Sequence, residues 1–258
     1  MPSDAVVCER HGPVALLRLN RPDKRNAINR HLASALVAHL DALAVDDGVR
    51  VVVITGAGET AFCAGADMTE ALGASQGEGR ADGTVDVIVR LVRFPKPVIA
   101  AVNGFAYGGG ALLAITCDLR VAAHSARFRF PGAAYGLVLG GSQLPRIVGL
   151  SRAKDLIFTA RVVDAAEALR IGLVDRLVAQ ADLEEAALEL AGQIAENSPE
   201  AVRASKKVID AVLPLEPAAR REMETNLTLR ASEEHRRRFR DAAERVAKGS
   251  LPDVGTEL

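Results

Sequence analysis

Two glycine-bearing segments carry the residues best suited to chemistry: Ala64-Gly65-Ala66-Asp67-Met68 and Asn103-Gly104-Phe105-Ala106-Tyr107-Gly108-Gly109-Gly110. Glycine allows close backbone approach, and an apolar, strand-like run precedes each segment, Val51-Val52-Val53-Ile54 and Pro97-Val98-Ile99-Ala100-Ala101-Val102. A helix that opens after such a strand presents N–H groups with no intrahelical partner, at the positive end of its aligned peptide dipoles. Two such groups aimed at one oxygen hold the charge that builds there when a carbanion forms beside a thioester carbonyl. The spacing predicts the Ala66 N–H at the start of a short helix over 66–72, and the Gly109 N–H at the start of a helix through Thr116. A triple glycine alone also serves tight turns and close helix packing. The pair, each member behind a strand, is what points to an oxyanion hole.

The elements that must position these segments are legible from hydrophobic patterning. Short runs rich in β-branched residues predict strands at 5–7, 14–17, 51–54, 97–102, 119–122 and 177–179. Helical spacing occupies 29–45, 85–93, 111–116 and 151–160 between them, which is the alternation of an α/β layered fold. After about Asp182 helical patterns follow one another to Lys248, punctuated by Pro199, Pro214 and Pro217, so the tail is expected to be all helical. We divide the chain into a core of residues 1–195 and a helical region of 196–258. The glycine-rich stretch 73–83 reads as a mobile loop, either a flap over a pocket or a plain surface loop. The run Glu233-Glu234-His235-Arg236-Arg237-Arg238 reads as a solvated helix face, with a subunit contact as the alternative.

Composition narrows the class. The 258 residues suffice for a sizeable core, and 32 basic against 33 acidic residues leave a net charge of −1, so no bulk attraction toward nucleic acid or an anionic membrane is expected. Cys8, Cys63 and Cys117 are odd in number and widely spaced, which fits neither a disulfide framework nor paired metal ligands, and the histidines lack metal-ligand spacing. With no basic-then-apolar start and no apolar run near the ~20 residues of a membrane span, the expectation is a soluble, cytoplasmic protein.

The motifs resemble one family closely. Ala61-Phe62-Cys63-Ala64-Gly65-Ala66-Asp67-Met68, Pro95-Lys96-Pro97-Val98-Ile99-Ala100-Ala101-Val102-Asn103-Gly104 and Gly108-Gly109-Gly110 through Cys117-Asp118 are similar to the crotonase, or enoyl-CoA hydratase/isomerase, superfamily. So is Arg21-Pro22-Asp23-Lys24-Arg25-Asn26-Ala27, and the likeness runs in order over nearly the whole chain, including 165–174. The resemblance implies a spiral of repeated strand and helix units, a C-terminal helical region that builds trimers or hexamers, and a bent acyl-CoA thioester of lipid or fatty acid metabolism as ligand. It implies Ala66 and Gly109 as the oxyanion donors, the backbone of 64–68, with Ala64, Asp67 and Met68, as the adenine site, and Lys24 or Arg25 near the CoA phosphates. No separate cofactor or metal is implied. Coenzyme A enters as part of the substrate.

The chain departs from the family at its acids. Hydration of an enoyl thioester needs one group to activate water and one to protonate the α-carbon, work suited to carboxyls. Hydratases of the family carry them two residues after the triple glycine and just after a downstream proline, where this chain has Leu112 and Gly132. A third position, used by dienoyl isomerases and aryl-CoA dehalogenases, falls at Gly140. Tyr107 is the candidate substitute, although a phenol is a poor base near neutrality and core packing with a satisfied hydroxyl is the competing explanation. Tyr135, Ser142 and Gln143 could hold a water, while an N-capped turn explains Ser142 equally well. Arg127 and Arg129 alternate about Phe128 and reach either the pocket rim or solvent; Asp67 and Asp118 have structural explanations. The expectation is an acyl-CoA-binding protein that stabilises a thioester oxyanion, with a non-catalytic acyl-CoA carrier as alternative and an ordinary enoyl-CoA hydratase least favoured. The sequence leaves open whether substrate is turned over.

Overall fold

A computed structural model describes residues 5–68 and 83–247. Of the helix expected over 66–72 only 66–68 are described: Ala66 pairs with Ile28 as a β-bridge and helical backbone begins at Met68, so Ala66 is not the first helical residue; residues 73–82 of the expected flap fall outside the described residues.

Six strands form the larger sheet: β1 (Val6–His11), β2 (Val14–Leu19), β3 (Val51–Gly56), β5 (Val98–Val102), β7 (Leu119–Ala123) and β10 (Arg176–Val178), in that spatial order. They are the six runs that the sequence predicts. β1 and β2 form an antiparallel hairpin across Gly12 and Pro13, and every other neighbour pair is parallel. The central strands are apolar along their whole length because both faces are covered. Alternate residues part accordingly. Leu17, Val52, Ile54, Ala100 and Ala122 join one cluster with Leu32, Leu36 and Leu40 of α1 (Arg30–Val45). Leu16, Val51, Val53, Ile99 and Val121 join another with Leu183, Ala187, Leu190 and Ala191 of α7 (Leu183–Ala195).

The smaller sheet, in the order β4 (Ala61–Cys63), β6 (Phe105–Tyr107), β8 (Arg127–Arg129) and β9 (Val162–Asp164), consists of three-residue strands. Of these, only the alternation about Phe128 is visible in the sequence. Three strands of the larger sheet thus lead into a short one in the other sheet: β3 into β4, β5 into β6, β7 into β8. A helix returns after the first two of these pairs, α2 (Thr84–Val92) and α3 (Gly109–Thr116). This is the repeating strand–strand–helix unit of a spiral. α4 (Leu144–Val148), α5 (Leu150–Thr159) and α6 (Ala165–Arg170) precede β10.

The tail continues as α8 (Pro199–Val212), α9 (Glu216–Arg230) and α10 (Glu233–Ala247), with Pro199 and Pro217 in first turns, where a missing N–H costs nothing. α8 is fastened by Lys206, whose Nζ lies 2.6 Å from Asp118 Oδ2, and the same carboxylate oxygen accepts the Val98 N–H at 2.8 Å. Asp118 therefore has a structural role, as expected. In the charged run of α10, Glu234 and Arg238 pair on the exposed face, while His235 turns inward and contacts the Tyr135 carbonyl at 2.7 Å.

Candidate functional site

The two glycine segments meet. Gly65 has a φ of +94°, and a Cβ added there would stand 2.7 Å from the Tyr107 carbonyl oxygen and 3.1 Å from the Gly109 nitrogen, so the backbone occupies space that any side chain needs. Gly110 is pressed more tightly still: a Cβ there would lie 2.0 Å from the Cys63 carbonyl oxygen. Glycine at these positions serves close approach between β4 and the first turn of α3.

The N–H groups of Ala66 and Gly109 lie at this contact, outside the regular backbone pairing. Residues 64–67 pair with the N-terminal segment: Ala64 N–H donates to Arg25 O at 3.0 Å, Ile28 N–H to Gly65 O at 2.7 Å, and Asp67 N–H to Ile28 O at 2.8 Å. This parallel bridge leaves the Ala66 N–H outside the ladder. Gly109 is the first residue of α3, so its N–H has no carbonyl one turn back along the helix. Thr84, the first residue of α2, stands over it, with Cγ2 3.1 Å from the Cβ position of Gly109.

Lys24 and Arg25 are exposed, on and just after a 3-10 turn at Pro22–Lys24, and the Arg25 carbonyl binds Ala64, so two cations border the 64–68 strip. Three positioning residues were not singled out in the sequence. Arg21 sends Nη1 to the Ala27 carbonyl at 2.6 Å and Nη2 to Asp67 Oδ2 at 2.9 Å, which identifies Asp67 as a clamp between segments. Buried Asn26 donates to the Ala57 and Ala61 carbonyls at 3.0 and 2.8 Å, and buried Asn103 donates to those of Gly56 and Gly58 at 3.0 and 2.6 Å. Their signal is an Asn in each motif beside turns rich in glycine, where a side-chain amide replaces missing backbone partners.

The candidate substitutes fall differently. Tyr107 shares a face of the smaller sheet with Phe105, the ring centroids 5.3 Å apart, and Ala106 between them faces the core. Burial pushes the phenol pKa up, against the opposing pull of Arg129 and Arg127, so it is a weaker acid than a free tyrosine. Its hydroxyl is buried without a hydrogen-bond partner among the described residues, which corrects the expectation of a satisfied hydroxyl. Tyr135 is likewise pushed up by burial. Gln143, also buried, has Oε1 2.8 Å from Thr116 Oγ1, and it occupies the N-cap of α4, so Ser142 is not the cap. Arg129 anchors on the Ala160 carbonyl and Arg127 on those of His124 and Ala126, rather than on the donors.

Leu112 packs against the core, and Gly132 and Gly140 lie in the loop between β8 and α4. A carboxylate reaches this loop from elsewhere: Glu222 of α9 accepts the Gly140 N–H through Oε1 at 2.9 Å and the Ser142 N–H through Oε2 at 2.8 Å. One turn along, Asn226 exchanges two hydrogen bonds with Val138, at 2.9 and 2.8 Å. Among the described residues no cluster of His, Cys, Asp or Glu could hold a metal ion, and no helix is long and apolar enough to cross a membrane. A groove of about 500 Å³ between α1 and α2, lined by Arg30, Asp86, Arg90 and Arg93, contains none of the donors and is a separate surface feature.

Comparison with known proteins agrees with this geometry. The enoyl-CoA hydratase/isomerase family matches residues 9–247. A short-chain-enoyl-CoA hydratase of Clostridium acetobutylicum is 44% identical over 210 residues, 80% of each chain. A crotonyl-CoA hydratase of Syntrophomonas wolfei is 40% identical over 211 residues, covering 80% of this chain and 81% of that one. A crystal structure of an enoyl-CoA hydratase/isomerase from Pseudoalteromonas atlantica superposes with a TM-score of 0.85 at 31% identity, covering 97% of this chain and 100% of the other. These relatives overturn the ranking drawn from Leu112, Gly132 and Gly140, in which an acyl-CoA-binding or carrier protein stood ahead of an ordinary hydratase. That ranking rested on three positions, whereas the likeness to these hydratases extends over about four fifths of the chain. With the spiral of paired strands, the joined glycine segments and the match over nearly its whole length, the chain belongs to the enoyl-CoA hydratase/isomerase family.

Proposed function

We propose that the protein is an enoyl-CoA hydratase, adding water across the C2=C3 double bond of a 2-enoyl-CoA thioester. The observation that carries the reading is the meeting of Gly65 with Gly109, which brings the backbone next to Ala66 against the first residue of α3. The thioester oxygen sits between the Ala66 and Gly109 N–H groups. As the hydroxyl adds to C3, the electron pair of the double bond moves toward that oxygen, and donors fixed in advance stabilise the charge without reorganising. Removing one such donor typically costs ~10²–10³ in kcat.

The adenine end of coenzyme A lies against the backbone of Ala64 to Met68, and the exposed Lys24 and Arg25 face its phosphates, where cations are electrostatically useful. Coenzyme A is part of the substrate and no other cofactor takes part. The carboxyl positions at Leu112, Gly132 and Gly140 are not used. The enzyme works in the cytoplasm as a homotrimer or a pair of trimers, and the exposed Val208, Ile209 and Val212 of α8 support an apolar subunit contact. Double-bond isomerisation is the second reading, supported by the family's own breadth, since it needs the same oxyanion donors.

The test follows the loss of enoyl absorbance with crotonyl-CoA and longer 2-enoyl-CoA thioesters, with the 3-hydroxyacyl product identified by mass. Hydration is expected. Conversion of 3-enoyl to 2-enoyl thioesters without hydration favours the isomerase, and binding without either reaction refutes both.

A further inference from the structure

We propose that Glu222 supplies the carboxylate for proton transfer in this enzyme, delivered from the C-terminal helix α9 instead of from the spiral core. The inference rests on the hydratase reading and asks which group activates the water.

The loop from Pro131 to Gln143 explains why the acid is not on the core. Gly132 has no room for a side chain: an added Cβ would stand 2.7 Å from Leu139 Cβ, 2.8 Å from Leu139 N and 2.9 Å from Leu137 O. The loop has folded onto the volume in which a carboxylate at that position would begin, and Leu137 N–H closes it by donating to Gly132 O at 2.8 Å. Gly140 has a φ of +76°, a conformation that side chains rarely adopt. Leu112 is packed on the core. An acid at Gly132 or Gly140 would require the local structure to change.

The same folding brings Glu222 to the site. At one end the loop borders the triple glycine, with Pro131 Cγ 3.9 Å from the Cβ position of Gly108. At the other, Gly140 and Ser142 bind the two oxygens of Glu222. Through Leu139, the contacts at 2.8 and 2.9 Å put Glu222 Oε1 no more than about 11 Å from the Gly132 Cα. Among the described residues, the acids beside the two glycine segments are committed elsewhere: Asp67 to Arg21, and Asp118 to Lys206 and the Val98 N–H. Glu222 is half-buried, and the two backbone N–H bonds fix its orientation while leaving a second acceptor site on each oxygen.

In the resulting step, a water held by Glu222 gives its proton to the carboxylate as the water oxygen bonds to C3. The C2=C3 pair moves to the thioester oxygen, held by Ala66 and Gly109. The charge then returns, C2 takes the proton from Glu222, and the 3-hydroxyacyl thioester leaves with the carboxylate regenerated. One carboxylate serves as base and then as acid.

The test compares wild type with E222Q, E222A and N226A on 2-enoyl-CoA hydration, with the dissociation constant of a saturated acyl-CoA measured beside it. The expected result is a ~10²–10⁴-fold fall in kcat for E222Q with binding unchanged. E222A should regain activity with added formate, a signature that a structural clamp does not give. N226A, which frees Val138 from the same helix without touching a carboxylate, should stay within about tenfold of wild type. An active wild type with E222Q within about tenfold of it overturns the assignment alone, as does an N226A loss equal to that of E222Q with no formate rescue. A wild type that hydrates no enoyl-CoA overturns the hydratase reading and the assignment with it.

Discussion

Gly65→Ala tests whether the contact between the two glycine segments builds the oxyanion hole. The added methyl meets two obstacles. At φ +94° an alanine is held in a conformation costing ~1–3 kcal/mol. Its Cβ also falls 2.7 Å from Tyr107 O and 3.1 Å from Gly109 N, both backbone atoms that no rotamer change can move. Relief needs a separation of several tenths of an ångström, and overpacking of this kind costs ~1–3 kcal/mol. The total of ~2–6 kcal/mol overlaps only the low end of the usual ~5–15 kcal/mol stability of a domain, so a folded but destabilised protein is expected. The displacement falls directly on the Gly109 donor, and misplacing a donor by a fraction of the hydrogen-bond length forfeits much of the ~10²–10³ in kcat that it supplies. The assay pairs urea denaturation with steady-state hydration of crotonyl-CoA. A fall in kcat of at least ~30-fold in protein shown to be folded is the expected outcome. A folded variant with kcat within about threefold of wild type would refute the argument that this contact sets the donors.

Three further outcomes follow from the side-chain environments. Tyr107→Phe removes a buried hydroxyl that has no partner among the described residues, so it should raise stability by about 1 kcal/mol and leave kcat unchanged; a large loss of turnover would instead make Tyr107 catalytic. Cys117 is buried with its thiol pushed up to about 12, and Cys63 is buried as well, so a thiol reagent at mildly alkaline pH should label Cys8 alone in native protein, slowly, and all three after denaturation. Rapid native labelling of a second cysteine would contradict this packing. The Arg161 hydrogen bonds hold the Glu167 carboxyl below its usual value of 4.5, so the pair adds stability above that pH and loses it as pH falls through the lower, folded-state value. Both side chains are partly exposed, so Glu167→Gln should cost less than about 1 kcal/mol near neutrality and flatten the acid limb of the stability curve; an unchanged limb would count against the pairing.

Much of the architecture was written into local pattern. Continuous β-branched runs are the form a strand takes when both faces are covered, which is why all six strands of the large sheet are legible and their alternate residues separate cleanly into two clusters. The strands of the smaller sheet are three residues long, too short for a period of two to register against chance. The glycine segments were readable because close backbone approach tolerates no other residue, as Gly65 and Gly110 demonstrate. The clamps were less so: Asn26 and Asn103 stand beside glycine-rich turns, but their partners and that of Arg21 lie in other segments, which no local pattern names.

By itself, then, the sequence determined the family, the layered α/β order and the two backbone segments of the site, because these rest on hydrophobic periodicity and on glycine geometry, both local. Only the tertiary structure decided what stands around the three positions that lack an acid. Leu112, Gly132 and Gly140 read as a missing function while the chain is a line, but once folded the 131–143 loop fills the space at Gly132 and is held by a carboxylate from Glu222, more than eighty residues further along. Side-chain proximity across such a separation depends on how helices dock, and no spacing within a motif encodes it.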